Sequence, residues 1–281
     1  MTYFAFLARF LGIPLIILAI LTWRDARQGR RLPTPLYTWP PGFVILAHVI
    51  VAVLYTTPWD NYLVATRVWW YDPALVNGLV IGWVPIEEYT FFVLQTIMTG
   101  LIWLFLAKRL VADTDVMRPV DQRPGLRYGV TGLLLVIWPA AVGILAAGWR
   151  PGTYLGLELA WALPPIMLQT AFGADIIWRY RRLVFWSLIP VTIYLCLGDA
   201  VAIGAGTWTI DPAQSTGILI GNLPLEEIVF FFITNILVVL GMTLVLARGS
   251  QQRAPAGVTQ WIARLVRQFR HKAVNVAGDQ P

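Results

Sequence analysis

The fold is decided by a stretch that occurs twice in the 281-residue chain. Residues Gly78–Phe92 read GLVIGWVPIEEYTFF, and residues Gly217–Phe231 read GILIGNLPLEEIVFF. The copies lie 139 residues apart, and the ungapped match covers residues 60–92 and 199–231, with 13 identical pairs in 33 positions. Most of these pairs are Asp, Glu, Gly, Pro or Trp, so shared hydrophobicity does not explain them. The sequence therefore predicts an internal duplication.

Both copies lie in a chain whose composition excludes an ordinary soluble enzyme. Apolar residues make up 58% and charged residues 13%, against about 45–50% and about 25% in an average soluble domain. The apolar residues form blocks long enough to cross a bilayer. We predict an all-α, polytopic membrane protein with seven transmembrane helices. The predicted spans are Tyr3–Trp23, Gly42–Ala65, Gly78–Ala107, Leu126–Gly148, Tyr154–Trp178, Leu183–Ala205 and Gly217–Ala247.

The basic residues are distributed unevenly over the loops of this arrangement. Eighteen of the 21 Lys and Arg residues fall on one side, Arg67 and Arg150 fall on the other, and Arg9 lies within the first span. Because cytoplasmic loops carry an excess of basic residues, we expect a protein of the cell membrane with its N-terminus outside and its C-terminus in the cytoplasm. The net charge of +6 then reflects topology and does not indicate nucleic-acid binding.

The duplication also predicts how the chain is divided. Each copy belongs to a unit of three spans, and the fourth span returns the chain so that both units have the same orientation, related by a pseudo-two-fold axis along the membrane normal. We predict a first three-helix repeat at 1–110, a linking helix at 111–150, a second repeat at 151–248 and a basic cytoplasmic tail at 249–281. In the tail, Val258–Val274 has the spacing of an interfacial helix, with a disordered segment as the alternative.

Four glutamates stand at membrane depth in the duplicated stretch: Glu87, Glu88, Glu226 and Glu227. Intramembrane carboxyl groups are costly, usually face the interior of a bundle and mark function. Adjacent helical residues point about 100° apart, and the polar stripe that continues from the second glutamate of each pair favours Glu88 and Glu227 for the interior. The alternative is that the carboxylates cap helices that begin after the preceding prolines.

Further residues at a similar depth complete the candidate site: Asp60, Asp199, Phe91, Phe92, Phe230, Phe231, Gln95 and Trp59. Each aspartate either shares a proton with a glutamate or caps a kink near Pro58. The aromatic and amide side chains are interpreted as walls of a substrate pocket. The alternative for the tryptophans near the loops is an interfacial belt of Trp59, Trp69, Trp70 and Trp208.

The composition limits the chemistry at this site. One cysteine and two histidines leave no Cys or His metal site, and no glycine motif for a nucleotide occurs, so no metal and no cofactor is predicted. A carboxyl group buried away from water holds its proton at neutral pH and acts as a Brønsted acid. With aromatic faces to stabilise a cation and a second carboxylate as base, the residues indicate proton-initiated isomerisation of a lipid-soluble polyene.

The pattern Gly-x-x-x-Gly-x-x-Pro-x-Glu-Glu-x-x-Phe-Phe, with Trp59-Asp60 and Trp69 upstream, resembles the membrane lycopene cyclase domain of actinobacteria, archaea and fungi. The resemblance covers nearly all of residues 1–247 and is to the fused form of two three-helix units. It implies cyclisation of the linear ends of lycopene to β-rings, giving β-carotene through γ-carotene. It also implies catalysis by the four glutamates, with a lipophilic polyene, membrane lipids and other carotenoid-pathway enzymes as partners.

Alternative functions stay open at this point. Gly198 stands where the first copy has Trp59, and Asp72 and Asp211 precede Pro where the family pattern has Asn, so formation of ε-rings or a C50 substrate is an alternative. A proton-coupled transporter also uses repeats and intramembrane carboxylates. A retinal-binding protein is excluded, because both lysines lie outside the predicted spans and cannot form a Schiff base there.

Overall fold

A computed structural model of the chain describes residues 1–115, 117–118 and 121–278. The helices within these residues are α1 (Tyr3–Arg27, with a π-helical turn at Ala8–Gly12), α2 (Pro41–Ala65), α3 (Ile86–Leu110), α4 (Pro124–Ala146), α5 (Thr153–Arg179), α6 (Arg181–Gly204), α7 (Leu225–Leu246), α8 (Arg248–Gln251) and α9 (Ala256–Gly278). The strands are β1 (Trp69–Tyr71), β2 (Val80–Ile81), β3 (Val84–Pro85), β4 (Trp208–Ile210), β5 (Leu219–Ile220) and β6 (Leu223–Pro224). Residues 116, 119 and 120 of the predicted linking region and 279–281 of the predicted tail lie outside the described residues.

The helices confirm a largely helical protein suited to a membrane. Of the described residues, six helices are long and apolar enough to cross one: α1, α2, α3, α4, α6 and α7. Large apolar side chains such as Ile16, Leu54 and Val136 are exposed on them, as expected where a helix faces lipid. The fifth predicted span, α5, is not among the six; its sequence contains Glu158 and the pair Pro164-Pro165.

The third and seventh predicted spans begin too early. The predicted starts are Gly78 and Gly217, whereas α3 begins at Ile86 and α7 at Leu225. The residues in front of each helix form short hairpins, β2–β3 and β5–β6. The proline that ends each hairpin stands at the N-cap of the following helix, so it starts a new helix and does not kink a longer one.

The hairpin turns explain why glycine occurs where helix was predicted. Gly82 and Gly221 have φ of 69° and 68°, a conformation that two-residue hairpin turns require and that glycine adopts without strain. A side chain at Gly82 would also collide with Asn61, whose Oδ1 lies 2.1 Å from the position of a Cβ there. The same Oδ1 accepts the Trp83 N–H at 2.7 Å, so the first hairpin is fastened to α2.

The loops that follow α2 and α6 pair with each other through β1 and β4. The strands are antiparallel, with Trp69 opposite Ile210, Trp70 opposite Thr209 and Tyr71 opposite Trp208. The central pair, Trp70 and Thr209, occupies equivalent positions of the duplication. The ladder is therefore symmetric about its own centre.

The opposite end of the bundle carries ion pairs. Arg109 donates to both oxygens of buried Asp25 at 2.9 and 2.7 Å, and Arg179 pairs with Asp115 at 2.6 Å. Arg253 donates to both oxygens of Asp175 at 2.8 and 2.9 Å. The chain thus neutralises carboxylates at this end with arginine.

Loss of the Arg253 side chain is expected to destabilise the protein. Asp175 is buried in α5, so Arg253→Ala leaves a buried carboxylate without its cation, which costs about 3 kcal/mol or more. Thermal unfolding of the purified chain in detergent measures this as a lower midpoint. Arg248→Ala, at an exposed residue of α8, is the control; equal midpoints for the two variants would contradict the prediction.

Candidate active site

Four carboxyl groups meet in a small internal cavity of about 40 Å³, those of Asp60, Glu88, Asp199 and Glu227. They come from α2, α3, α6 and α7 respectively, and none is more than 8% exposed. The pattern of polar residues along each helix predicted that Glu88 and Glu227 face the interior, and these are the two glutamates that line the cavity. Both halves of the duplication therefore contribute to a single cluster.

The two aspartates are held by indole groups. Trp69 Nε1 donates to Asp60 Oδ1 at 2.9 Å, and Trp208 Nε1 donates to Asp199 Oδ1 at 2.8 Å. The interpretation of these tryptophans as part of an interfacial belt is wrong, because both rings are buried against the cluster. Asp60 does not cap a kink near Pro58 either, because among the described residues its Oδ1 accepts the indole and its Oδ2 has no hydrogen-bond partner. The nine-residue spacing from Asp to Trp, identical in both copies, is the signal for this contact.

The two inner glutamates are held by tyrosines that the sequence analysis missed. The Tyr3 hydroxyl donates to Glu88 Oε2, and the Tyr154 hydroxyl donates to Glu227 Oε1 at 2.8 Å. Both tyrosines lie at the start of the first helix of their half. They are 151 residues apart, so the ungapped match at 139 does not align them. Their shared position at the head of an apolar block was the available signal.

The carboxyl groups also interact with one another, both within each half and between the halves. Asp199 lies within hydrogen-bonding reach of Glu227, and Asp60 interacts electrostatically with both Glu88 and Glu227. Among the residues that the structure describes, no ion pair joins any of the four groups to a Lys, Arg or His. Carboxyl groups so close together and without a cation share protons.

The outer glutamates, Glu87 and Glu226, do not line the cavity. Glu87 Oε1 accepts the backbone N–H of Asn77 at 2.7 Å, and Glu226 Oε1 accepts that of Thr216 at 2.6 Å. Both side chains are fully buried. They bind the loop in front of each hairpin and form no cap bond to their own helix, so the capping alternative does not describe them.

Aromatic rings cover the cluster. Phe91 and Phe231 meet edge to face across the halves, with ring centroids 6.1 Å apart. Trp59 lies parallel to Phe230, with centroids 6.0 Å apart, and stacks on Trp161 at 4.6 Å. These rings place electron-rich faces beside the carboxyl groups, where a cation formed from an apolar ligand would be stabilised.

A much larger cleft of about 690 Å³ lies beside the cluster, between α2, α5 and α7. Phe230 lines both the cleft and the small cavity. Of the predicted pocket residues, Phe92 and Gln95 line the cleft, whereas Phe91, Phe231 and Trp59 line the small cavity. Residues of α9 also line the cleft, so of the two alternatives for the tail the structure has the helix, which lies against the cleft.

Buried carboxyl groups beside an apolar cleft are features of a helical protein that binds an apolar ligand and transfers protons to it. A family model described as lycopene cyclase matches residues 1–106 and 152–245, which together are most of the chain. The chain belongs to the lycopene cyclase family. The resemblance found in the sequence is thereby confirmed.

Individual relatives agree with this assignment. A lycopene beta-cyclase of Halobacterium salinarum is 38% identical over 252 residues, which are 88% of this chain and 98% of the relative. Bifunctional lycopene cyclase/phytoene synthases of Aspergillus niger and Podospora anserina are 35% and 37% identical over 74% and 70% of this chain. The matched region is 36% and 34% of the length of these two fungal relatives. No solved structure matches the chain.

Proposed function

We propose that this protein is a lycopene β-cyclase that converts the linear ends of lycopene to β-rings, giving β-carotene through γ-carotene. The observation that carries the proposal is the cluster of four carboxyl groups, without a cation partner among the described residues, beside an apolar cleft. Relatives named as lycopene cyclases supply the substrate. The reaction is an isomerisation and has no net redox change.

The proposed chemistry uses one carboxyl group as acid and another as base. Protonated Glu88 or Glu227 delivers a proton to C2 of the terminal C1=C2 bond and leaves a tertiary cation at C1. The C5=C6 bond then attacks C1, the C1–C6 bond forms, and the cation moves to C5. A partner carboxylate takes the proton from C6, which forms the ring double bond. The dry, aromatic surroundings protect the cation from water.

The remaining candidate residues take supporting roles in this proposal. Asp60 and Asp199 share and return protons, because they lie in the same cavity as the inner glutamates. Glu87 and Glu226 position the outer loops. Phe91, Phe92, Phe230, Phe231, Gln95 and Trp59 bind the polyene, whose extended chain lies in the cleft with one end at the carboxyl cluster.

Expression of the chain in a bacterium that accumulates lycopene tests the function. Chromatography of the extracted pigments is expected to show β-carotene together with γ-carotene. An ε-ring product or action on a C50 carotenoid would change the substrate or product class. Unchanged lycopene, with the protein present in the membrane, would contradict the proposal and favour a proton-coupled transporter.

We also propose seven spans, with α5 as the fifth crossing. The Tyr154 N–H near the start of α5 binds Gln214 of the loop after β4, whereas Arg179 at its end pairs with Asp115 at the opposite, basic end. Two units, 1–110 and 151–248, are then parallel repeats linked by α4, with the basic tail following. Contact between equivalent residues supports the two-fold axis: Gln95 Nε2 donates to Thr234 Oγ1, 139 positions later, at 3.0 Å.

This topology predicts opposite locations for the two termini. Surrounded by membrane lipids, the chain has its N-terminus outside and its C-terminus in the cytoplasm, where other carotenoid-pathway enzymes are accessible. Alkaline phosphatase fused to the C-terminus is expected to be inactive, and green fluorescent protein fused there is expected to fluoresce, because these reporters work on opposite sides of the membrane. Phosphatase activity of the C-terminal fusion would refute the orientation.

A further inference from the structure

The apolar cleft is long and belongs to one side of the bundle. On α7 it extends from Phe230, which also lines the carboxyl cavity, to Val245, about 22 Å away at the helical rise. At the end away from the cluster it is lined by Val258 of α9. Val51 and Leu168, on its two other walls, are largely exposed. The cleft is therefore open along its side, where a polyene can enter from the bilayer.

The face of α2 that lines this cleft has a closed counterpart on α6. Three residues of α2 at successive helical turns line the cleft: His48, Ala52 and Thr56. The duplication places these residues of α6 at the equivalent positions, 139 residues later: Ser187, Val191 and Leu195. None of the three on α6 is more than 3% exposed. Leu195 shares a hydrophobic core with Leu11 and Leu18 of α1, so α1 covers the face that stays open on α2.

The two faces also differ at their ends near the carboxyl cluster. On the open side, Trp59 of α2 stacks on Trp161 of α5, which lines the cleft. The residue of α6 equivalent to Trp59 is Gly198. Phe10 of α1 occupies the space beside this glycine, because a Cβ there would lie 3.1 Å from Phe10 Cδ1. Phe10 belongs to the π-helical turn of α1, whereas the corresponding turn of α5 is α-helical. Phe10 thus closes the side on which α6 lies.

Gly241 of α7 leaves room for the cleft on the open side. Its equivalent in the first half is Ile102, which packs against the hydrophobic core. A Cβ at Gly241 would lie 2.3 Å from His48 Nε2 and 3.3 Å from Gln169 Nε2. Both of these side chains line the cleft, so a side chain on α7 at this position would push them into it.

We propose that the polyene binds only on the side of α2, α5 and α7, that Gly241 is a specificity-determining residue that admits its chain, and that each binding event closes one ring. The proposal rests on the proposed cyclase function. The cleft meets the carboxyl cluster at one place, so a polyene within it presents one end to the acid. A conjugated chain is stiff and cannot reverse between three helices. The monocyclic product therefore leaves into the bilayer and returns with its linear end toward the cluster.

Proteoliposomes that contain the full chain test the number of rings closed in each binding event. Deuterated lycopene is mixed with unlabelled γ-carotene, each in excess of the chain. We expect the label to accumulate first in γ-carotene, at amounts above that of the chain, and to reach β-carotene late, since labelled γ-carotene mixes with the unlabelled pool before its second ring closes. Label that reaches β-carotene without delay, while labelled γ-carotene stays below the amount of the chain, would overturn the proposal. Absence of any labelled cyclic product would instead contradict the cyclase function itself.

Gly241→Ile tests the cleft, with Gly132→Ile as the matched control. The first variant introduces the residue of the other half and is expected to slow conversion by about 10²-fold, as when a bound substrate is displaced by about 1 Å. Gly132 of α4 is exposed and has nothing within 4 Å of an added Cβ, so its variant is expected to convert lycopene at the wild-type rate. Equal conversion by the two variants would overturn the assignment of this cleft. Ala52→Leu narrows the same cleft from α2 and is also expected to slow conversion, which keeps the test valid if Gly241→Ile fails to fold.

Discussion

Replacement of Glu88 and Glu227 together by Gln is expected to reduce the conversion of lycopene by about 10²- to 10⁴-fold, the usual contribution of a general acid and base. Gln is isosteric with Glu and still accepts the tyrosine hydroxyls, so the helices keep their packing. The variant loses the protons that start and finish ring closure. Quantification of cyclic and linear carotenoids per amount of membrane-inserted protein measures the effect.

Asp113→Asn is the matched control for this carboxyl-to-amide change. Asp113 is exposed at the basic end of the bundle, where its Oδ1 accepts the Thr34 N–H at 2.7 Å. An amide oxygen accepts the same bond, so conversion is expected to stay at the wild-type level. If the double variant converts lycopene as well as this control does, the inner glutamates do not supply the protons.

Replacement of Trp59 by Leu is expected to slow cyclisation by about 30-fold. The indole lies over Phe230 beside the carboxyl cluster and stacks on Trp161 of the cleft wall. Its face stabilises a desolvated cation by about 2 kcal/mol, which corresponds to about that change in rate. Conversion of lycopene at saturating substrate measures it.

Trp59→Phe separates cation stabilisation from hydrogen bonding. Trp59 Nε1 donates to the Leu157 carbonyl at 3.1 Å, and both Phe and Leu lose this bond. Because Phe retains an aromatic face, this variant is expected to keep most of the activity. Equal losses in Trp59→Phe and Trp59→Leu would mean that the indole acts through its hydrogen bond to α5 and not through its face.

The sequence predicted the helices well where a single physical requirement governs them. Blocks of apolar residues must satisfy their backbone groups within a membrane, so helix was the expected outcome, and most boundaries fall within a few residues of those predicted. The prediction failed in the segments before Pro85 and Pro224, where apolar side chains occur in hairpins. Hydrophobicity does not distinguish these segments from helix, whereas glycine at positive φ and the following proline do.

The candidate site could be predicted in part for a similar reason. Repetition of acidic residues at equal spacing identified the glutamates and aspartates, because neither packing nor solubility requires them in apolar helices. Tyr3 and Tyr154 escaped detection because contacts between different helices have no fixed spacing in the chain.

The pairing of β1 with β4 has a consequence for assembly. Because the central residues of the ladder, Trp70 and Thr209, are equivalent, an isolated first half carries a strand that can pair with the same strand of another copy. Covalent linkage through α4 gives the two different halves a high effective concentration toward each other. The linker therefore favours pairing of the two different halves over self-association of either half, and each molecule contains one copy of each half.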